Sequence, residues 1–301
     1  MKPYFQALRL ERWPRSLAIV IGSAAFFFLN RDTPASFGTV NIIWRVGLAF
    51  FLTWGISTAN YIINEIVDAP FDRHHPTKRH RPLVSGRIKP GPLLALFLLI
   101  ISVCFLLAGL FCAPFLFSLL ALLAAGFIYN IKPIRTKDIP FLDSISESAN
   151  NPIRFLIGWF AFAPAGLFPP ISLLLCWWFF GNFLLIAKRL SEKRFLKEKA
   201  ADYRSSLSKY TVGSLIFGMA VSTGLFFLFY FHFALANKLE SFILLSPLLL
   251  FFYFLIFEKT LKEKGVMEEP ERLLKHPRFA VYSLLIVIAF VLSLFFDKIH
   301  Q

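Results

Sequence analysis

The amino-acid sequence predicts an all-α integral membrane protein, a polytopic bundle of nine transmembrane helices in a single domain over residues 1–301. Composition is the first indication. The chain is 57% hydrophobic, only 17% charged and contains 38 Phe, whereas a soluble domain has roughly 45–50% apolar and about 25% charged residues. This composition excludes a soluble enzyme that is merely anchored to a membrane.

Nine apolar segments are candidates to cross the hydrocarbon core, which takes about 20 largely apolar residues in a helix. They are 16–30, 42–63, 92–111, 114–131, 152–169, 171–187, 211–232, 241–257 and 279–296. Prolines at Ala113-Pro114 and Pro169-Pro170 separate two pairs of these segments that lie close together in the sequence. Long unbroken apolar runs indicate helices, because the strands of a membrane β-barrel would alternate in hydropathy over about ten residues.

The distribution of Lys and Arg predicts the topology. With the N-terminus in the cytoplasm, the cytoplasmic segments carry 27 of these residues, and the opposite side carries only Arg31, Lys238 and Lys298. Because basic residues favour the cytoplasmic side, we expect a cell-membrane protein with a cytoplasmic N-terminus and an external C-terminus. The net charge of +14 is typical of loops that face anionic membrane lipid, and we expect no nucleic-acid partner.

An acidic cluster follows the second predicted span. Asn64, Asp68 and Asp72 are spaced four residues apart, so a helix leaving the membrane would present all three side chains on one face. Carboxylates one turn apart repel each other unless a cation lies between them. Oxygen ligands suit Mg²⁺, which typically takes one or two carboxylates, retains waters and binds substrate phosphates.

A second acidic cluster precedes the fifth predicted span, where Asp143 and Glu147 repeat the spacing of four. The alternative for either cluster is a solvated helix end that pairs with nearby lysines. Two clusters on one membrane face, each at the mouth of a span, favour a magnesium site instead. The sequence therefore predicts an active site at the cytoplasmic face, where a metal and a diphosphate are held between two carboxylate helices.

Basic residues near both clusters are candidates to bind a phosphorylated small-molecule substrate, since a metal alone leaves several phosphate oxygens uncompensated. Arg73, Lys78 and Arg81 follow the first cluster, and Lys137 precedes the second. Arg81 and Lys137 are favoured, because each lies near a turn that would aim it inward. Tyr129, at the end of the fourth span, is also a candidate substrate-binding residue. The alternative for any single cation is the general excess of positive charge on this side.

Lys188 and Arg189 end the sixth predicted span, and Glu192 lies in the turn beyond it. One interpretation is that Lys188 and Arg189 extend to the membrane interface, with their aliphatic stems in the apolar region. The other is that they bind a second phosphate group.

Three stretches resemble motifs of the UbiA superfamily of membrane prenyltransferases, namely Asn64-Glu65-x-x-Asp68-x-x-x-Asp72, Arg81-Pro82-Leu83-x-Ser85-Gly86 and Asp143-x-x-x-Glu147. Glu65 and Glu147 stand where the family usually has Asp, and both retain a carboxylate. The resemblance implies a nine-helix bundle, a magnesium cofactor and a polyprenyl lipid substrate. It also implies that Asp68, Asp72 and Asp143 are catalytic, and that the metal is held by Asn64, Glu65, Asp68, Asp72, Asp143 and Glu147.

Within the superfamily, three stretches resemble the decaprenyl-phosphate phosphoribosyltransferases, namely Asp72-Arg73-His74-His75-Pro76-x-Lys78-x-x-Arg81-Pro82, Lys188-Arg189-x-x-Glu192 and Glu268-Glu269-Pro270-Glu271. This resemblance implies transfer of phosphoribose from phosphoribosyl diphosphate to a polyprenyl phosphate. The alternative is transfer of a polyprenyl group from its diphosphate to an aromatic or other small acceptor. A transporter of anionic lipids is a third hypothesis. The sequence does not indicate the oligomeric state.

Overall fold

The computed structural model of the chain describes residues 2–30, 37–73, 78–196, 205–262 and 276–300. These residues form helices and turns and contain no strand, in agreement with the predicted all-α class. They divide into two compact units, with unit 1 ending at Pro169 and unit 2 beginning at Pro170. The single domain over residues 1–301 stays a prediction.

The α-helices of unit 1 are α1 (Lys2–Leu8), α2 (Ala18–Leu29), α3 (Thr39–Asp72), α4 (Pro90–Ala108), α5 (Ala113–Asn130), α6 (Leu142–Ser148) and α7 (Asn150–Phe160). Short 3₁₀ helices in this unit cover Leu10–Leu17, Lys78–His80 and Thr136–Asp138. The α-helices of unit 2 are α8 (Ile171–Leu196), α9 (Ser205–Lys209), α10 (Val212–Ala236), α11 (Glu240–Leu244), α12 (Ser246–Lys262) and α13 (Pro277–His300).

Six helical segments in the described residues are long and apolar enough to cross a membrane, whereas the sequence predicts nine. They are α3, α4, α5, α8, α10 and the α11–α12 segment. The helix α2 lies within the first predicted span and α7 overlaps the fifth, and these helices have only 12 and 11 residues. Helices of this length rise about 17–18 Å, against a hydrocarbon core of about 30 Å. The last predicted span lies in α13, whose shorter apolar stretch is Pro277–Ser293. Nine transmembrane helices are therefore not confirmed.

The fifth predicted span is shorter than expected because the chain leaves the helix after Phe160. Residues 161–170 contain three prolines, and proline interrupts the hydrogen bonding of a helix. Trp159 Nε1 donates a hydrogen bond of 2.7 Å to the Leu167 carbonyl oxygen. The indole thus ties this proline-containing segment back to the end of α7.

In unit 1, α2 and α7 cross at two glycines, each of which faces the backbone of the other helix. A Cβ added at Gly22 would lie 2.0 Å from the Phe155 carbonyl oxygen, and one at Gly158 would lie 1.9 Å from that of Ile19. Ser23 Oγ donates a hydrogen bond of 2.9 Å to the Gly158 carbonyl oxygen. Small residues allow this close approach of helix backbones, as in many membrane helix pairs.

The long helix α3 also approaches α5 closely. Gly126 on α5 accommodates Asn60, whose Oδ1 would lie 2.1 Å from a Cβ at position 126. Asn60 Nδ2 donates a hydrogen bond of 2.8 Å to the Leu122 carbonyl oxygen. Because α3 continues to Asp72, nine residues beyond the predicted span, the same helix carries the first acidic cluster.

Replacing Gly158 with Ala is expected to lower the free energy of unfolding by about 1–3 kcal/mol, because the added Cβ would overlap the Ile19 carbonyl group and force α2 and α7 apart. Thermal unfolding of the purified protein in detergent measures this loss. Gly47→Ala is the matched control, since Gly47 also lies within a helix but has no neighbour within 4 Å of an added Cβ. An unchanged melting temperature for Gly158→Ala would contradict the close approach.

Candidate active site

The first acidic cluster lies on the last turns of α3, as the spacing of its residues predicts. Asn64, Asp68 and Asp72 share one face of this helix. Asp72 is buried, and 19% of the Asp68 side chain is exposed. Glu65, on the adjacent face, is 1% exposed. Carboxylates buried to this extent require cations or hydrogen-bond donors nearby.

Arg81 provides one of these cations. It forms an ion pair with Asp72, and its Nη1 lies 3.8 Å from Glu65 Oε2. The turn that follows Arg81 includes Gly86 at φ +72°, a left-handed conformation that favours glycine. The structure therefore places Arg81 beside the first cluster, as the position of this turn predicts.

The electrostatic environment of Arg81 combines positive and negative neighbours. Burial lowers the pKa of the Arg81 guanidinium below its ordinary value, and the positive charge of Arg9 lowers this pKa further. Asp72, Glu65 and Asp68 oppose the shift by stabilising the charged form. The repulsion from Arg9 and the attraction of the three carboxylates therefore act on Arg81 in opposite directions.

Lys137 provides the second cation and forms an ion pair with Asp68. Its Nζ donates a hydrogen bond of 3.0 Å to Asn130 Oδ1 and lies 6.0 Å from the centre of the Tyr129 ring. Arg135 also contacts this carboxylate, with 3.4 Å between its Nη2 and Asp68 Oδ1. The inward position predicted for Lys137 thus brings it to the first cluster.

The second acidic cluster lies on the short helix α6, where Asp143 is fully buried. Tyr129 donates a hydrogen bond of 2.7 Å from its hydroxyl group to Glu147 Oε2. Because Lys137 contacts both Asp68 and the Tyr129 ring, a continuous series of contacts joins the two clusters within unit 1.

Strained backbone conformations occur beside both clusters. In the described part of the chain, the residues other than glycine with positive φ are Arg9 (49°), Arg135 (29°), Phe141 (63°) and Lys238 (53°). Such conformations cost of the order of 1–3 kcal/mol each and are frequent at functional sites, where the surroundings enforce them. Arg9 and Arg135 contact the first cluster, and Phe141 directly precedes α6. This concentration of strain supports a functional role for the region.

Arg9 is a residue of this region that sequence patterns do not reveal. Its Nη2 lies 2.9 Å from Glu65 Oε2, and its guanidinium lies 5.7 Å from the centre of the Tyr61 ring. In the sequence, 56 residues separate Arg9 from Glu65. The only available signal is a cation just before the first predicted span, on the same predicted side as the acids.

Other predicted site residues have no contact with these clusters that the described residues show. Arg73 follows the end of α3 and is exposed. The side chain of Lys78 lies outside the described residues, as do His74, His75 and the acidic run 268–271.

Lys188 and Arg189 lie on α8 in unit 2. Arg189 is fully buried, and its Nη1 lies 3.0 Å from Glu192 Oε2. Arg189 therefore forms a buried ion pair one turn along the same helix and does not extend to the surface. Lys188 is half-buried.

The oxygen atoms of the first cluster fit a magnesium ion. Asn64 Oδ1 and Glu65 Oε1 are buried and have no hydrogen-bond partner among the described residues. Within this same part of the chain, no three His, Cys, Asp or Glu side chains group as a complete metal site. Magnesium commonly binds through one or two carboxylates and completes its coordination with water and substrate phosphates. The agreement of this cluster with a magnesium ion therefore rests on its oxygen donor atoms and not on a complete set of protein ligands.

Comparison with known proteins shows a family match. Residues 18–285 match the model of the UbiA prenyltransferase family. The decaprenyl-phosphate phosphoribosyltransferase of Corynebacterium glutamicum is 27% identical over 210 residues, which cover 68% of this chain and 59% of the relative. The protein of the same name from Mycobacterium tuberculosis is 24% identical over 221 residues, which cover 72% of this chain and 68% of that relative.

The structure is similar to that of a UbiA homologue from Archaeoglobus fulgidus bound to GPP and Mg²⁺. The TM-score is 0.71 at 19% sequence identity, over 97% of this chain and 99% of that one. At this identity, the likeness shows a shared fold.

Replacing Arg9 with Ala is expected to lower the free energy of unfolding by about 1–3 kcal/mol, because the buried Glu65 carboxylate would lose its nearest cation. Chemical unfolding in detergent measures the loss. The double variant Arg9→Ala/Glu65→Gln should recover part of it, since the buried charge, which would otherwise retain only the longer contact with Arg81, is then removed. Lys89→Ala, at an exposed cation, is the control. If Arg9→Ala proves as stable as Lys89→Ala, the ion pair does not stabilise the fold.

Proposed function

Since the chain belongs to the UbiA prenyltransferase family and is a transferase of this superfamily, we propose that it transfers phosphoribose from phosphoribosyl diphosphate to a polyprenyl phosphate in a magnesium-dependent reaction. The observation that carries this proposal is the pair of acidic clusters joined through Lys137 and Tyr129. Acids and buried cations on adjacent elements are suited to a metal-bound diphosphate.

In this proposal, oxygen atoms of the two clusters hold magnesium, and the side chains that provide them are Asn64, Glu65, Asp68, Asp72, Asp143 and Glu147. Bound magnesium would neutralise the negative charge that develops on the diphosphate as it leaves. Asn64, Asp68 and Asp72 present their oxygens along one face of α3. Tyr129 holds Glu147 in place through its hydroxyl hydrogen bond.

The cations of the site bind and orient the diphosphate in this proposal. Arg81 and Lys137 already contact Asp72 and Asp68, so their donor groups lie beside the carboxylates that would hold the metal. Charge-assisted hydrogen bonds from these groups to phosphate oxygens are about twice as strong as neutral ones. Arg73 and Lys78, from the same loop as Arg81, are the remaining candidates for this role.

The proposed chemistry needs charge stabilisation more than a general base. The bond between the anomeric carbon of the ribose and a diphosphate oxygen breaks, and the diphosphate leaves with the electron pair. A phosphate oxygen of the lipid forms the new bond to that carbon. Because a phosphate monoester is largely ionised at neutral pH, its oxygen attacks without transferring a proton to the protein.

Prenyl transfer is the second candidate function. In that reaction a polyprenyl diphosphate loses its diphosphate, and an aromatic or other small acceptor takes the prenyl group. The A. fulgidus homologue, bound to GPP and Mg²⁺, supports this candidate. The names of the two curated relatives favour phosphoribosyl transfer. In this proposal Lys188 is an additional cation for the second phosphorylated substrate, whereas the charge of the other candidate, Arg189, is already paired with Glu192. Transport of anionic lipids is the third and least favoured hypothesis.

The membrane orientation is part of the same proposal. The ratio of 27 to 3 Lys and Arg residues supports a cytoplasmic N-terminus, a cytoplasmic active site and an external C-terminus in the cell membrane. Both clusters would then meet water-soluble phosphoribosyl diphosphate at the membrane surface, while the polyprenyl phosphate approaches from the lipid.

Incubation of the purified protein with radiolabelled phosphoribosyl diphosphate, polyprenyl phosphate and magnesium tests the proposed function. We expect the label to enter a lipid-soluble product, together with release of diphosphate. Turnover of a polyprenyl diphosphate without any product from the first pair would favour prenyl transfer instead. Movement of the lipid between the two leaflets of a vesicle membrane, without release of diphosphate, would support the transport hypothesis.

Asp68→Asn and Asp143→Asn are each expected to lower turnover by roughly a hundredfold or more, because each removes a negative charge from the proposed metal and diphosphate site. Release of diphosphate at saturating magnesium measures the effect. Glu240→Gln is the control, since Glu240 is an exposed acid at the start of α11 in unit 2. Wild-type turnover in both Asn variants, with correct membrane insertion, would overturn the proposed roles.

Lys188→Gln is expected to raise the Michaelis constant for one phosphorylated substrate by roughly tenfold or more, because it removes a charge-assisted hydrogen bond to phosphate. The magnesium requirement should not change. Lys188 is the better test position, because replacing Arg189 would also remove its buried ion pair with Glu192. Lys209→Gln, at an exposed lysine of α9, serves as the control. Unchanged Michaelis constants for both substrates would remove the chemical reason to prefer phosphoribosyl transfer.

A further inference from the structure

One carboxylate oxygen in unit 1 lies between two guanidinium groups from distant parts of the chain. Glu65 Oε2 lies 2.9 Å from Arg9 Nη2, which is a hydrogen-bond distance. The distance from the same oxygen to Arg81 Nη1 is 3.8 Å, which is too long for a hydrogen bond. Because Glu65 is buried, solvent screens these attractions little. Arg9 is therefore the closer partner of this carboxylate, and Arg81 is the more distant one.

The segment that carries Arg9 is anchored against α3. The last two residues of α1, Ala7 and Leu8, are buried, and α1 contacts α3. Arg9 follows with φ 49°, a left-handed conformation that is uncommon for residues other than glycine and persists only where the surroundings enforce it. The backbone thus fixes the position of Arg9 beside this helix.

The guanidinium of Arg9 has a second contact on α3. It lies 5.7 Å from the centre of the Tyr61 ring, and such an arrangement of a cation and an aromatic ring is attractive. Tyr61 precedes Glu65 by four residues, so both side chains lie on one face of α3. Arg9 therefore contacts two successive turns of the helix that carries the first acidic cluster.

Arg81 lies near two carboxylates and pairs with one of them. Its ion pair is with Asp72, whereas Glu65 is 3.8 Å away. The positive charge of Arg9 acts against a closer approach of Arg81 to Glu65, since like charges repel. If Arg9 were absent, the buried Glu65 would need another cation, and Arg81 is the remaining one within 4 Å that the described residues show. Glu65 and Asp72 would then compete for Arg81.

We propose that Arg9 is a positioning residue of the diphosphate site, and that it directs Arg81 to Asp72 by occupying Glu65. This inference rests on the proposed function, in which Arg81 binds the diphosphate beside the carboxylates that hold magnesium. Without Arg9, Arg81 would turn toward Glu65 and away from Asp72, so its guanidinium would no longer lie beside the proposed diphosphate site. Arg9 itself does not contact the substrate in this proposal.

Isothermal titration calorimetry of the full-length protein in detergent, with inorganic pyrophosphate and magnesium, tests this role. Pyrophosphate is the leaving group of both candidate transferase reactions, so the measurement does not depend on which of them the protein catalyses. We expect Arg9→Ala to weaken pyrophosphate binding by roughly tenfold, because Arg81 loses its charge-assisted hydrogen bond to phosphate. In turnover assays, the Michaelis constant for the diphosphate substrate should rise by a similar factor, and that for the other substrate should not change.

Arg45→Ala is the matched control for a loss of stability. Arg45 also lies on α3 and donates a hydrogen bond of 2.8 Å to the Ala161 carbonyl oxygen. It precedes Glu65 by 20 residues, which is about 30 Å along the helix. Arg45→Ala should therefore lower the melting temperature and leave pyrophosphate binding unchanged. Arg9→Lys retains the positive charge and should recover most of the affinity that Arg9→Ala loses.

A double variant distinguishes a positioning role from direct binding. If Arg9 acts through Arg81, then Arg9→Ala/Arg81→Ala should bind pyrophosphate as weakly as Arg81→Ala alone does. If Arg9 contacts the diphosphate itself, the two losses should add. Additive losses would overturn the positioning role.

Two other results would overturn the proposal. Wild-type affinity in Arg9→Ala would mean that Arg81 does not depend on Arg9. Equal weakening in Arg45→Ala would mean that pyrophosphate binding follows the stability of the fold. These failures differ from a failure of the proposed function, in which the wild-type protein itself would bind no pyrophosphate in magnesium and both proposals would be wrong.

Discussion

The ion pair between Asp68 and Lys137 is the interaction on which the candidate active site depends. It joins the end of α3 to the segment after α5, across 69 residues of sequence. Only 19% and 5% of the two side chains are exposed, and charges buried to this extent are stable only when they are paired. Through its contact with the Tyr129 ring, and the hydrogen bond from Tyr129 to Glu147, the same cation also relates the second acidic cluster to the first.

This electrostatic arrangement requires helices that approach each other closely. Gly126 lets Asn60 reach the backbone of α5 at Leu122, one turn before Asn64 begins the acidic cluster on α3. Tyr129 lies less than one turn beyond Gly126 on α5. The contact of Asn60 with α5 therefore sets the register between the end of α3, which carries the acidic cluster, and the end of α5, which carries Tyr129. In a membrane, where apolar surfaces gain little from contact with each other, small residues and hydrogen bonds provide much of this specificity.

Local sequence patterns predict part of this site well. The spacing of four residues correctly predicts that Asn64, Asp68 and Asp72 share a helix face, because helical periodicity is a local property. The inward positions of Arg81 and Lys137 follow from nearby turns. The contact between Arg9 and a glutamate 56 residues away depends on tertiary packing, which no local pattern encodes. Hydropathy alone also does not register where the hydrogen bonding of a helix ends, and the α-helices in the first and fifth apolar segments have 12 and 11 residues.

Glu65 illustrates how a departure from a family motif extends the contacts of a site. Adjacent residues on a helix are about 100° apart, so Glu65 projects away from the row of Asn64, Asp68 and Asp72. The extra methylene group of Glu, relative to Asp, gives its carboxylate the longer reach with which Oε2 contacts Arg9 at 2.9 Å and approaches Arg81 at 3.8 Å. Its other oxygen has no hydrogen-bond partner among the described residues, so the pair with Arg9 and the predicted metal contact are compatible. Through this one carboxylate, the N-terminal segment is coupled to Arg81, the cation proposed to bind the diphosphate.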